Sequence, residues 1–119
     1  MNWLLFLKHE MKIDWSHPED INGIWQSEKG YSIDFNGPNG ALCGLDPLLY
    51  PLKLSGYVMY ENLSYQGDGE WKAERYNWKF PPGEAVSNGS WQFEAHVVLQ
   101  LTADKKAITD NWRTFRKIN

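Results

Sequence analysis

Hydrophobic and polar residues alternate most regularly between Trp91 and Thr102. The apolar side chains of this stretch occupy its odd positions: Trp91, Phe93, Ala95, Val97, Leu99 and Leu101. Successive side chains of a strand point to opposite faces, so the pattern predicts one long strand with an apolar face and a mostly polar face. We expect the odd face to line the interior of an antiparallel sheet, and His96 on the even face to meet solvent.

Shorter segments of strand-like composition, separated by turn residues, occupy much of the rest of the chain. They are residues 23–27, 31–35, 41–44, 53–65, 70–80 and 108–118. Asn62 marks a bend in its segment, and a switch of the apolar positions from odd to even near Glu74-Arg75 indicates a β-bulge. The connections are mostly short, as in a meander. The sequence therefore predicts an all-β, antiparallel up-and-down barrel of seven to eight strands, with a β-sandwich as the alternative.

Residues 1–20 are predicted to precede a single barrel domain of residues 21–119. The apolar pattern of Trp3–Ile13 predicts a short N-terminal helix, and Ser16 is expected to cap a helical turn that begins at Pro18. The apolar run 3–7 is too short for a membrane span and lacks the features of a signal peptide, so a cytoplasmic location is expected. Met11 is an alternative start.

The composition of the chain argues against several classes of function. The net charge of −3, with basic residues spread along the chain, argues against nucleic acid and anionic membrane as partners. A single cysteine excludes an internal disulfide, and no Cys/His spacing resembles a metal site. Aromatic residues reach 15%, and most lie in predicted strands, so they fill an interior or line a cavity.

The first predicted strand carries a family resemblance. Gly23-Ile24-Trp25 after a helical turn, together with Arg113 or Arg116 near the C-terminus, resembles the signature of the calycin barrels, the superfamily of lipocalins, fatty-acid-binding proteins and avidins. The resemblance implies that Gly23 and Trp25 are structural residues. It also implies that Trp25 packs across the closed end of the barrel, beneath an arginine of the last strand.

The chain is most similar to the avidins within that superfamily. The matching segments are GIWQSEKGYSIDF, NGALCG, the Leu54-Ser55-Gly56 triplet, and Asn77-Trp78-Lys79-Phe80 with Trp91 thirteen positions after Trp78. The resemblance implies that Trp78 and Trp91 form walls of a ligand pocket. It also implies that Ser87 lies on a loop near the ligand and that Trp112 is a further pocket residue.

The positions aligned with the polar contacts of the avidins are Ser27, Tyr31 and Asp46. Asp46 replaces a tyrosine donor, and an ionised carboxylate only accepts hydrogen bonds. It would oppose the ureido oxygen of biotin, another acceptor, and an unpaired buried polar group costs about 1–3 kcal/mol. We therefore expect an avidin-like shape without strong biotin binding.

These observations predict a non-enzymatic barrel that binds a small molecule. Trp78 and Trp91 are expected to stack on the ligand, and Ser27, Tyr31 and Ser87 to offer polar contacts. Ser87 has no His or Asp partner at a recognisable spacing, so no catalytic residue is assigned; no cofactor is expected. The alternative is an interaction module with a packed barrel core, which forms a homo-oligomer or binds carbohydrate.

Overall fold

Eight antiparallel strands form a closed barrel in the computed structural model, which describes residues 14–44 and 57–118. In chain order the strands are β1 Gly23–Ser27, β2 Ser32–Asn36, β3 Asn39–Gly44, β4 Val58–Gly67, β5 Glu70–Lys79, β6 Ser90–Leu101, β7 Ala107–Thr109 and β8 Thr114–Lys117. Each strand pairs with its successor, and β8 pairs with β1. The predicted up-and-down barrel is confirmed, and the sandwich alternative is wrong.

Two predicted features lie outside the described residues. They are the N-terminal helix over Trp3–Ile13 and the loop that contains Asp46. Among the residues that the structure does describe, no helix has the length and apolar character needed to cross a membrane.

The two ends of the barrel differ in their connections. At the end that we call the loop end lie the connections 28–31, 80–89 and 110–113. At the closed end lie the tighter turns 37–38, 68–69 and 102–106. Residues 14–22 dock at the closed end, where Ile21 is buried and the indole Nε1 of Trp25 donates a 2.9 Å hydrogen bond to the Ile21 carbonyl.

The predicted last strand, 108–118, is two strands. It divides at a turn over 110–113, where the Asp110 carboxylate accepts hydrogen bonds from the backbone N–H groups of Trp112 and Arg113 at 3.2 and 2.9 Å. Asn111 has a φ of 80°, a left-handed conformation that asparagine tolerates better than most residues. The turn reverses the chain, so that Ile108 and Phe115 pair directly and are both fully buried.

The odd face of β6 does not stay inside along the whole strand. Val97, Leu99 and Leu101 are buried as predicted, and His96 is exposed, but Phe93 is 47% exposed. The register shows why: Arg75 pairs with Ala95 while Tyr76 pairs with Phe93, which leaves one extra residue in β6. The predicted bulge is therefore present opposite Arg75, but its extra residue lies in the partner strand and turns Phe93 outward.

The barrel interior is packed mainly with aromatic and branched side chains. The largest fully buried ones are Trp25, Trp71, Tyr60, Phe35, Phe115, Ile21, Ile33, Leu99, Leu101 and Ile108. The aromatic residues were predicted to fill an interior or to line a cavity, and those named here fill the interior.

The helical turn at the closed end is a 3₁₀ turn over Pro18–Ile21, and His17 rather than Ser16 is its N-cap. The Asp20 carboxylate accepts a 2.8 Å hydrogen bond from the His17 backbone N–H. The predicted Ser16 cap is wrong because the Ser16 hydroxyl is used elsewhere. It donates to Asp14 at 2.9 Å and accepts from the Gly69 backbone N–H at 2.7 Å.

Asp14 ties the lead-in segment to the β4–β5 hairpin. Its carboxylate accepts hydrogen bonds from the Tyr65 hydroxyl at 2.5 Å, the Ser16 backbone N–H at 3.0 Å and the Asp68 backbone N–H at 3.1 Å. These bonds, chiefly that of Tyr65, lower the pKa of Asp14 from its ordinary value of 3.8 to about 2. They favour the ionised carboxylate in the folded state.

We expect Asp14→Asn to destabilise the protein in a pH-dependent way. The stabilisation from ionised Asp14 is fully present above the unfolded pKa of 3.8 and is lost as the pH falls through about 2. The difference in unfolding free energy between wild type and variant is therefore greatest above pH 3.8 and shrinks toward pH 2, as urea titrations at several pH values will show. The control is Asp34→Asn, since the exposed Asp34 carboxylate makes no hydrogen bond within residues 14–44 and 57–118. Equal pH profiles for the two variants would contradict the prediction.

Candidate functional site

Three aromatic rings meet where β4, β5 and β6 reach the loop end. Trp78 and Trp91 are direct partners across β5 and β6, and their rings pack edge to face with centroids 6.1 Å apart. Tyr57, the residue before β4, packs against Trp91 at 5.5 Å and against Trp78 at 6.5 Å between ring centroids. We call these three residues the aromatic cluster. It unites the two predicted pocket tryptophans and adds Tyr57, which the sequence did not single out.

The cluster combines exposed aromatic surface with a buried polar atom. Tyr57 is 46% exposed, whereas Trp78 and Trp91 are half-buried and pack against the core. The indole Nε1 of Trp91 is buried and has no hydrogen-bond acceptor in the part of the chain that the structure describes. Such a donor costs free energy unless an acceptor reaches it.

The connection between β5 and β6 folds closely over Trp78. A Cβ atom placed on Gly89 would lie 2.6 Å from the indole Nε1 of Trp78 and 2.6 Å from the Lys79 carbonyl oxygen. Real Cβ atoms do not approach other heavy atoms this closely. Glycine at position 89 is thus what allows the loop to close against the aromatic cluster.

Gly89→Ala should displace this loop from Trp78 and destabilise the protein by about 1–3 kcal/mol, since the added methyl group overpacks the site. The change is measured by chemical denaturation and by the near-ultraviolet circular dichroism of the tryptophans. Gly83→Ala in the same loop is the matched control: Gly83 has a φ of 78° with nothing within 4 Å of an added Cβ, so its strain is in the backbone alone. It should cost about 1–2 kcal/mol and leave the tryptophan signal unchanged; a changed signal in both variants, or in neither, contradicts the prediction.

A buried polar network crosses the interior beside the core. The Arg75 side chain is 3% exposed and Asp110 is 0% exposed, and Nη1 of Arg75 donates to Oδ2 of Asp110 at 2.7 Å. The Tyr60 hydroxyl donates to the same oxygen at 2.6 Å, and Nε of Arg75 donates to Glu94 at 3.3 Å. Oδ1 of Asp110 accepts the two backbone bonds of the 110–113 turn, so both carboxylate oxygens are fully used.

The protonation states in this network follow from burial and charge. Burial and the Asp110 carboxylate raise the pKa of Tyr60 well above its usual value, so its hydroxyl remains a donor. Burial alone would lower the pKa of Arg75, but the hydrogen bonds and charges of Asp110 and Glu94 raise it. Arg75 is therefore a fixed cation inside the barrel.

Trp112 lies over this cation rather than in the aromatic cluster. Its ring is 4.5 Å from the guanidinium carbon of Arg75, a cation–π geometry, and the residue is 66% exposed. The 110–113 turn holds it there through the Asp110 hydrogen bonds. The expectation that Trp112 joins Trp78 and Trp91 is not met by the contacts of the described residues.

The other predicted ligand contacts are scattered. Ser27 is 7% exposed, and its hydroxyl accepts from the Lys29 backbone N–H at 3.1 Å within the β1–β2 turn. Tyr31 is 4% exposed and packs edge to face on Phe115. Ser87 is exposed in a 3₁₀ turn over Val86–Asn88. Asp46 lies outside the described residues.

The closed-end residues match the resemblance in part. Trp25 is fully buried at the closed end, and Gly23 begins β1 with a φ of 128°. The cation over the Trp25 ring is Lys117, at 5.6 Å, its direct partner in β8. Neither predicted arginine takes this place in the described contacts. Arg113 lies in the turn before β8, 5.9 Å from the Tyr31 ring, and Arg116 is exposed on the outer face.

Sequence reasoning missed Arg75, Asp110 and Tyr60. A signal for Arg75 was present, since it continues the odd-numbered series of Trp71 and Ala73, which are both buried in β5. The change of phase next to it indicates a bulge instead. The signal for Asp110 was the Asp-Asn pair, which favours a turn.

A separate groove of about 450 Å³ lies on the outer face of β4–β6. It is lined by Asn62, Lys72, Ala73, Glu74, His96, Val97 and Val98. No group of three or more His, Cys, Asp or Glu residues among those described is arranged to hold a metal ion. The described residues that line the groove therefore offer no metal site.

Comparison with known proteins adds no identification. No family model matches the chain, no curated protein matches it, and no solved structure matches it. The barrel is shown by the structure, and the likeness to the avidins stays a prediction.

Proposed function

We propose that this protein is a non-enzymatic barrel that binds a small, partly apolar molecule at its loop end. The ligand stacks on the aromatic cluster of Tyr57, Trp78 and Trp91. The observation that carries the proposal is the meeting of these three rings around a buried indole N–H that has no acceptor among the described residues.

Packing elsewhere in the barrel supports this position. From the closed end inward the interior holds buried aromatic and aliphatic side chains, and the Arg75–Asp110–Tyr60 network adds a polar layer. Small-molecule sites are concave and mostly apolar, with a few polar groups that fix orientation. The loop end offers both apolar rings and polar groups.

Strong biotin binding is not part of the proposal. Ser27 is engaged in its own turn, Ser87 is exposed, and Trp112 stacks on Arg75. Three of the positions that the avidin resemblance assigns to the ligand are thus either engaged in other contacts or exposed to solvent. A cytoplasmic location stays a prediction from the sequence.

Titration of the intrinsic tryptophan fluorescence with a panel of small metabolites, biotin included, tests the proposal. A saturable change is expected for at least one compound, and it should be lost in Trp78→Ala. Trp15→Phe is the control, because Trp15 lies at the closed end, near Gly69. A spectrum that is indifferent to every compound would contradict the proposal.

The second candidate is an interaction module that binds carbohydrate or forms a homo-oligomer. The observation in its favour is the set of exposed apolar side chains, led by Trp112 at 66%, Ile118 at 55% and Phe93 at 47%. Flat exposed rings suit stacking on sugars. A Trp112→Ala variant that loses binding to a sugar panel, or light scattering that shows a defined oligomer, would favour this candidate.

A further inference from the structure

Side chains of β6 form an exposed row on the outer face of the barrel. Val98 is 38% exposed and Phe93 is 47% exposed. The Phe93 ring packs edge to face against the rings of Tyr76 and His96, with centroids 5.8 and 5.1 Å apart. We call Val98, His96 and Phe93 the outer row. It continues from the groove on β4–β6 toward the loop end, and its apolar surface faces solvent in the part of the chain that the structure describes.

Two carboxylates lie beside the outer row. Glu61 and Glu74 are direct partners across β4 and β5, and Glu74 is the partner of His96 across β5 and β6. Like charges directly opposite each other destabilise a sheet. The side-chain amide of Asn62 donates to Glu74 at 3.1 Å, but neither glutamate forms an ion pair with a residue of the ranges 14–44 and 57–118. A cation is therefore the complement that this side of the row lacks.

Residues 1–13 lie outside the described residues, and the structure shows where they leave the barrel. The Asp14 carboxylate accepts a 3.1 Å hydrogen bond from the Asp68 backbone N–H, in the turn between β4 and β5. Asp68 is four positions from Lys72, where the groove begins, or roughly 13 Å along a strand. Met11 is three positions before Asp14, and three residues span up to about 11 Å. With its side chain, Met11 can therefore reach the near end of the groove.

The sequence of the N-terminal residues fits the outer row in length and in charge. The helix predicted for Trp3–Ile13 has one apolar stripe, formed by Trp3, Leu4, Leu7 and Met11. Lys8 and Lys12 adjoin one side of this stripe. From Met11 to Trp3 such a helix spans about 12 Å. The outer row pairs with the positions of β5 from Lys72 to Tyr76, or roughly 13 Å.

We propose that residues 3–13, the N-terminal segment, bind as an amphipathic helix on the outer row of their own barrel. The apolar stripe follows β6, with Met11 at Val98, Leu7 at His96 and Trp3 at Phe93. Lys8 then lies beside Glu74 and Glu61 and supplies the missing cation. An amphipathic helix in an apolar groove is a common mode of recognition. This contact is independent of the ligand site at the loop end.

Disulfide formation between the segment and the row tests this contact in the full chain. Leu7→Cys and His96→Cys are introduced together with Cys43→Ser, because the Cys43 thiol is exposed. Two cysteines are bridged only when their Cα atoms come within about 7 Å. With oxidised glutathione as the oxidant, the intramolecular disulfide should form about 10-fold or more faster than in Leu7→Cys with Asp34→Cys, since Asp34 is exposed on β2, away from the row.

A variant with an unchanged tether separates docking from chance encounter. Leu4→Ser and Met11→Ser are added to the protein with cysteines at positions 7 and 96. The number of residues between Asp14 and the cysteine stays the same, while the apolar contacts of the stripe are removed. The rate of disulfide formation should fall to that of the Asp34→Cys protein.

A charge exchange tests the side of the row on which the lysines lie. Lys8→Glu should slow disulfide formation between positions 7 and 96 by about 3-fold, an effect of the size expected for an exposed ion pair. Lys8→Glu combined with Glu74→Lys should restore the rate. Lys8→Glu combined with Lys29→Glu is the control that leaves the row unchanged, since Lys29 is exposed in the β1–β2 turn, and it should not restore the rate.

Three results would overturn the proposal. The first is an equal rate for the proteins with cysteines at His96 and at Asp34. The second is a rate that Leu4→Ser and Met11→Ser leave unchanged. The third is a disulfide-linked dimer as the main product, because it would place the segment on the outer row of a second copy. Each result leaves the proposed ligand site at the aromatic cluster to be judged by its own titration.

Discussion

Asp110→Ala is expected to reduce the free energy of unfolding by about 3–5 kcal/mol. The substitution leaves the buried Arg75 guanidinium without its main counter-charge and the Tyr60 hydroxyl without an acceptor. Breaking a buried ion pair by removing one partner has a cost of this size. Because small domains are stable by only about 5–15 kcal/mol, the variant should unfold at clearly lower urea concentration.

Asp104→Ala is the matched control for this experiment. Asp104 also accepts two hydrogen bonds in a turn, from the Thr102 hydroxyl at 2.6 Å and the Lys106 backbone N–H at 3.0 Å, but it is exposed. Its removal should cost much less than that of Asp110, because solvent screens the interactions of an exposed carboxylate. Equal losses in the two variants would show that the buried network is not a special source of stability.

Trp25→Ala is expected to have a similarly large effect, about 3–5 kcal/mol, at the opposite end of the barrel. Trp25 is fully buried, and its indole N–H is bonded to the Ile21 carbonyl. The variant loses this bond and leaves a cavity beneath the lead-in segment. Chemical denaturation of the purified protein measures the loss.

Trp112→Ala is the control variant for Trp25→Ala. Trp112 is 66% exposed, and its one ring contact among the described residues is with Arg75, so Trp112→Ala should cost only about 0.5–1 kcal/mol. A loss at Trp112 as large as that at Trp25 would contradict the assignment of these residues to surface and core.

The strand pattern was predictable because period-two alternation depends on neighbours along the chain. Val97, Leu99 and Leu101 alternate with polar residues and are buried as expected. Phe93 was not predictable in this way. Its face depends on the register of β6 against Arg75 and Tyr76 of β5, and a bulge in one strand looks the same in sequence as a change of phase in the other.

The candidate site was predictable only in its apolar part. Trp78 and Trp91 come together because the β5–β6 pairing places them opposite each other. The Arg75–Asp110 pair joins residues 35 positions apart on β5 and the β7–β8 turn. No local sequence pattern indicates such a pairing, since it depends on how the barrel closes.

The most direct test of a ligand site at the aromatic cluster uses the indole N–H resonances of the seven tryptophans. They are followed by ¹H–¹⁵N NMR during titration with a compound that binds. Each signal is assigned to its tryptophan with a single Trp→Phe variant, which lacks that signal. The account predicts that the Trp91 and Trp78 signals shift with saturation, while those of Trp25 and Trp71 in the core stay unchanged. A shift confined to the exposed Trp112, with Trp91 and Trp78 unaffected, would contradict a ligand site at the aromatic cluster.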